Sequence, residues 1–223
     1  MSSVPPEPTP AANPLPWEAR QTRGALEAFF DTLGIFFSRP AEAWARAREV
    51  GDLGSPLLFG TIVAWLSYAV HAVLSRFLMF PLLPGALGRR LGTMGHYGRI
   101  GIVFHLIFAP VFIAVALFIG AAILHVCCMI TGALSSSASG FEGSFRTVAY
   151  SEVSSLAVMI PVVGGIVATV WWIILAVQGV QRMHRTTQGK AVASILIPVV
   201  VCCGGALLLA IIIGTAFLAR GAR

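Results

Sequence analysis

Charge is what this 223-residue chain has least of: only 11% of its residues are Asp, Glu, Lys or Arg. With 57% hydrophobic residues and a mean hydropathy of +0.86, it cannot cover itself in polar surface as a water-soluble domain does. Hydrocarbon is its expected solvent. Lysine is nearly missing, Lys190 being the single one among 15 basic residues. Nine acidic residues leave a formal net charge of +6, which favours anionic lipid headgroups or acidic partners. The basic residues are dealt out among separate loops, so the clustered face that nucleic acid requires is lacking and no nucleic-acid partner is expected. The Arg excess, with abundant Ala and Gly, points to a bacterial origin.

Patterns that carry chemistry are missing too. There is no H-E-x-x-H, no G-x-S-x-G and no phosphate-cradling glycine loop. The cysteines stand as vicinal pairs, Cys127-Cys128 and Cys202-Cys203, without the C-x-x-C spacing of redox or zinc sites. Catalysis needs a nucleophile with its base, paired carboxylates or clustered metal ligands. No such set is legible, and the expectation is a protein that is not an enzyme, with no catalytic residues, cofactor or metal. No basic stretch followed by a short apolar run and a small-residue cleavage site opens the chain, so no cleaved leader is expected.

What is present is a series of apolar segments behind a short polar lead. Residues 1–23 carry Pro5, Pro6, Pro8, Pro10, Pro14 and Pro16, which deny a helix its backbone donors and predict a disordered tail. Over 24–56, Leu26, Phe29, Phe30, Leu33, Phe36 and Phe37 recur at helical spacing, with Glu27 and Asp31 off the stripe. Pro40 suits the first turn of a second helix, where Glu42 and Arg46 stand four apart and Trp44 offers its ring to the headgroup region. This stretch is expected to form interfacial amphipathic helices.

The rest, 57–223, predicts an all-α membrane protein: a polytopic helical bundle of about five transmembrane segments, near 57–80, 100–130, 147–160, 162–180 and 191–219. Pro110 and Pro198 are expected kinks. The stretch from Arg146 to Gln181 is too long for one span and short for two. Pro161, Gly164 and Gly165 sit at its middle, where a turn would make 147–180 a short hairpin or a re-entrant loop. Nine basic residues then share the N-terminal side against six opposite, which puts the N-terminus in the cytoplasm, in a bacterial inner membrane on this reading.

Few residues within the spans could do more than pack. Glu152 is a candidate ion site, with an interfacial position near a helix start as the plainer reading. His71, His105 and His125 are expected to pack neutral between helices rather than relay protons. The serines of 135–139 read as a flexible turn. Ser194, Pro198, Cys202, Ala206, Ala210 and Gly214 recur every four residues and would let a helix approach closely, whether from the same chain or from a second copy in a homo-oligomer.

Asp52-Leu53-Gly54-Ser55-Pro56 resembles the D-L-x-G-P element of the Yip-type (Ypt/Rab-interacting) membrane proteins, with Ser55 in place of its Gly. Phe141 through Tyr150-Ser151, then Ile160-Pro161 and Gly164, is similar to a second element of that family. Gly179-Val180, His184 and Gly189-Lys190-Ala191 look like its polar loop before the final span. The resemblance implies five membrane segments and a cytoplasmic N-terminus. It marks Asp52, Leu53, Pro56, Tyr150, Ser151, Pro161, Gly164, His184, Gly189 and Lys190 as interaction candidates. Eukaryotic members of the family engage Rab GTPases, a partner that a bacterial home removes. Two functions follow: a membrane scaffold that recruits a protein partner at its cytoplasmic face, or a small transporter or channel component using Glu152 and the broken hairpin near Pro161.

Overall fold

Glycine and proline set many of the boundaries between the described elements. The computed structural model describes residues 13–75, 99–201 and 204. Outside them lie residues 1–12 of the expected tail, 76–80 of the first expected span, Cys202-Cys203 and nearly all of the last expected span beyond 201. The described chain opens with a 3-10 turn, Pro16–Ala19, and one helical turn, Arg20–Arg23. Gly24, at φ 93°, then redirects it into α1, Ala25–Ser38. Pro40 pushes Arg39 out of the helical region, to φ −144°, and itself starts α2, Pro40–Arg46.

Gly51 and Asp52, both at positive φ, make the turn into α3, Gly54–Leu74. The long α4, Arg99–Ile130, contains Pro110 and stops before Gly132 at φ 68°. The next helix, α5, is Gly140–Ser151, and a 3-10 run continues it over Glu152–Met159. After a turn, α6 covers Gly164–His184 and ends at Arg185 in the left-handed region. The last described helix, α7, is Gln188–Val201.

Three of these are long and apolar enough to cross a bilayer: α3, the Phe104–Ile130 part of α4, and α6. Their outward faces remain apolar, as with Phe112 at 70% and Ile166 at 70% exposure, which suits lipid contact. The segment read from sequence as a span over 147–160 is divided between α5, which begins seven residues earlier, and the 3-10 run. Beyond Val201 only residue 204 of the expected fifth span is described.

The turn between the 3-10 run and α6 falls where Pro161 predicts it, by a different device. Gly164 and Gly165 keep ordinary φ values; Val162 takes the left-handed conformation, at φ 69°. A β-branched side chain there stores roughly 1 to 3 kcal/mol of strain. Gly164 serves packing instead, since a Cβ would lie 2.3 Å from the Ala157 carbonyl oxygen.

Two apolar clusters meet at α5. One joins Leu117, Ala121 and Leu124 of α4 to Phe145, Val148 and Ala149 of α5 and Ala176 and Val180 of α6. The other joins Phe59 and Val63 of α3, Tyr150 of α5 and Met183 of α6 to a cap made of Leu15, Trp17, Phe29, Phe36 and Trp44. The disordered tail expected over 1–23 therefore needs correction for residues 15–23. Leu15 is 0% and Trp17 4% exposed, because their large side chains bury apolar area that outweighs the ordering cost of a proline-stiffened segment.

Candidate functional site at the capped end of the bundle

Where the cap meets the bundle, polar groups are drawn into an otherwise apolar contact. The 3-10 turn aims Trp17 and Glu18 inward together. The Trp17 backbone N–H donates to Thr32 Oγ1 at 2.9 Å, and its indole Nε1 donates to the Ser55 carbonyl at 2.8 Å. Arg20 stacks on the Trp17 ring, 4.8 Å from its centroid, and donates to Ser55 Oγ at 2.6 Å. That hydroxyl in turn donates to Asp52 Oδ2. Ser55, the position that departs from the D-L-x-G-P pattern, is thus the buried node between the turn at Asp52 and the N-terminal segment. The Ser55 bonds, ahead of partial burial, hold the Asp52 carboxyl below its usual range.

Glu18 is the second node. Tyr150 Oη donates to it at 2.8 Å, and the Arg48 backbone N–H donates at 3.1 Å. Its carboxyl is pushed up by desolvation, which outweighs these bonds and the nearby Arg146 and Arg48 charges. Arg146, on α5, is fully buried, with its guanidinium 3.7 Å from Glu18 and 3.5 Å from Glu142. At those distances it forms ion pairs without direct hydrogen bonds, and its three nitrogens have no hydrogen-bond partner among the described residues. Glu142 also accepts from the Gly51 N–H at 2.6 Å, so the positive-φ turn is tied to α5. Around this network Tyr150 stacks on Phe36 at 5.6 Å and meets Phe59 at 5.4 Å.

A second polar chain lies at the C-terminal end of α6. His184 is fully buried, with Nδ1 2.8 Å from Ser137 Oγ and Nε2 3.0 Å from Ser144 Oγ. Ser144 continues to His125 Nδ1 at 3.1 Å. The Ser135–Ser139 run, expected as a flexible turn, instead fastens the start of α5 to α6, for Ser139 also donates to the Met183 carbonyl at 2.6 Å. At the rim Glu49 accepts from Arg182 at 2.7 Å and from Arg185 at 2.8 Å.

The structure gathers some of the motif residues and separates others. Asp52 and Tyr150 border the cap, Pro56 is buried in the first turn of α3, and Leu53 packs against the neighbouring cluster on α4 and α5. Ser151 is buried just beyond Tyr150, its hydroxyl without a partner among the described residues. His184 joins the same end through Ser144 on α5. Lys190 reaches across to the Gly132 carbonyl at 3.1 Å, while Gly189 is exposed. Pro161 and Gly164 stand at the other end of α6, about 30 Å away along a 21-residue helix. Glu152 follows Ser151 at the start of the 3-10 run, and its carboxyl forms no hydrogen bond or ion pair among the described residues.

Sequence reasoning missed Trp17, Glu18 and Arg146. Glu18 falls within the expected tail, and Arg146 stands at the start of the stretch expected to form the hairpin. The available signals were Trp17-Glu18 closing the proline run, and Glu142 and Arg146 at four-residue spacing.

Long apolar helices with outward-facing side chains, capped at one end by folded amphipathic helices, define a helical integral membrane protein. The chain belongs to the Yip1-domain family, whose model matches residues 33–215. No curated protein and no solved structure matches it. The match begins at Leu33, inside α1, so Trp17 and Glu18 reach the site from before the matched stretch.

Proposed function

We propose that this Yip-family membrane protein is a non-enzymatic scaffold that recruits a protein partner at the cytoplasmic face of its membrane. The Yip1 family is not a known enzyme family, which supports the non-enzymatic part of the reading. The observation that carries the rest is the joining of four segments at one end of the bundle. The N-terminal turn, the Asp52 turn, the start of α5 and the end of α6 are bound to one another through Glu18, Glu142, Glu49 and His184. A surface held from four sides keeps its shape when a partner leaves, as a docking platform requires. Its rim presents Arg48, Arg182 and Arg185, with side chains 47%, 40% and 58% exposed, which suits an acidic partner segment.

The sectors of α1 support its placement at the membrane surface. Ala28, Phe29, Thr32, Leu33, Ile35 and Phe36 are buried against the protein. Leu26, Phe30 and Phe37 fall within about 40° of one another on the helical wheel, at 76%, 64% and 46% exposure. Glu27, Asp31 and Ser38 occupy a third sector, also about 40° wide. A helix that faces protein, apolar solvent and water in three separate sectors is suited to the headgroup boundary. Crosslinking and co-purification of the full chain from native membranes tests recruitment. Charge reversal of Arg182 and Arg185 to Glu should remove a specific protein partner, and identical partner profiles for the two proteins would refute the reading.

A further inference from the structure

Beside the apolar sector of α1 runs a groove of about 430 Å³, walled by Arg23, Phe30, Asp31, Ser38, Arg39 and Arg46 among others. That size lies within the range of small-molecule sites. Its position on the helix is specific: Phe30 borders it from the apolar sector, and Asp31 and Ser38 border it from the polar one. With Leu26, Phe30 and Phe37 turned toward acyl chains, the groove lies at headgroup level. We infer that it binds the phosphate-bearing headgroup of an acidic bilayer phospholipid, a step that rests on the interfacial placement of α1 proposed above.

The charge balance favours an anion. Three guanidinium groups line the groove against two carboxylates, Asp31 in its wall and Glu42 between Arg39 and Arg46, which leaves one positive charge in excess. Glu42 pairs with both Arg39, at 3.0 Å, and Arg46, which holds the two guanidinium groups side by side while each keeps further N–H donors. Arg23 has no ion pair among the described residues, is exposed and lines the groove. Arginine forks match the oxygens of a phosphate diester in pairs. A zwitterionic headgroup would bring its own ammonium group among the arginines, so an acidic lipid is preferred. Ser38 donates its hydroxyl proton to the Gly34 carbonyl at 2.6 Å, which leaves the arginines as the binding groups.

The experiment uses the full chain in detergent, titrated with phosphatidylglycerol or phosphatidylcholine and read by native mass spectrometry. Phosphatidylglycerol should bind the more tightly. The double variant Arg23→Gln/Arg39→Gln should lose roughly tenfold or more of that affinity, since each basic residue beside an acidic headgroup contributes to its binding. Arg182→Gln/Arg185→Gln, altered at the other rim, should bind as the parent does. Equal affinity for the two lipids, or no loss in the groove variant, overturns the inference. So does full displacement of the lipid by inorganic phosphate, which would mean a site for free anion. A benzophenone amino acid placed at Leu26 in vesicles reads the underlying placement separately. Acyl-chain crosslinks without lipid preference leave the interfacial helix standing and remove only the groove, whereas no acyl crosslink removes both.

Discussion

Two carboxylates at the cap, Glu18 buried and Asp52 exposed, are shifted in opposite directions, and the difference lies in burial and in what each accepts. Asp52 sits in its own turn with the Ser55 hydroxyl and N–H as donors, so its charged form is favoured. Glu18 lies deeper, and desolvation outweighs the Tyr150 and Arg48 bonds, so it holds its proton more tightly than a free carboxyl does. A raised carboxyl pKa means that the folded protein holds the proton more tightly; the associated stability is complete below the ordinary value of 4.5 and fades as pH rises through the folded pKa. The lowered Asp52 gives the reverse, with stability present above the ordinary value of 3.8 and lost as pH falls through its folded pKa. Melting temperatures in detergent across this range should separate the two. Glu18→Gln should flatten the decline above pH 4.5, and Asp52→Asn should flatten the loss on the acid side; identical pH profiles for all three proteins would contradict the assignment. At this scale the sequence exposes local patterns and conceals distant ones. Asp52, Tyr150 and His184 stand in short motifs, whereas the Tyr150–Glu18 bond joins residues 132 positions apart, and no period or spacing announces it.

Helices were legible wherever apolar spacing was regular, and their partners were legible only in part. The stripe on α1 reads as one face, yet it divides: Phe29, Leu33 and Phe36 enter the protein, while Leu26, Phe30 and Phe37 remain outside. Hydrophobicity alone cannot distinguish a protein neighbour from a lipid one. For the same reason the stretch around 147–160 reads as greasy, although α5 is the helix on which the other elements pack. Glycines report that packing more directly. A Cβ at Gly60 on α3 would lie 2.7 Å from the Ala149 carbonyl oxygen on α5, a backbone atom that cannot swing aside. Gly34, within α1, has open space around it. Gly60→Ala should therefore cost about 1 to 3 kcal/mol, the range for overpacking. Gly34→Ala should add about 0.5 to 1 kcal/mol, as expected for glycine replaced inside an exposed helix surface. Denaturation of the two variants in the same detergent checks the opposite signs.

For the molecule as a whole, the cap is a structural part of the bundle rather than an appendage. Trp17, Phe29, Phe36 and Trp44 cover Phe59, Val63, Tyr150 and Met183, and Glu18 supplies the acceptor for the Tyr150 hydroxyl and a counter-charge for Arg146. Removing residues 1–50 uncovers that aromatic surface and leaves Arg146 buried beside Glu142 alone. Uncovering aromatic area and removing one of the two counter-charges of a buried cation are both costly. Such a truncation should therefore melt well below the full chain and lose monodispersity on size exclusion in mild detergent. Glu49→Gln removes only the rim ion pairs with Arg182 and Arg185, where partial exposure screens the charges. That variant should keep its elution profile and lose less than about 1 kcal/mol. If the truncated chain were as stable and monodisperse as the parent, the cap would be a separable module and the four-sided platform would lose its rigidity argument. If both predictions hold, partner mapping must rely on point changes at the rim, because deletion of the N-terminus would remove the fold together with the docking surface.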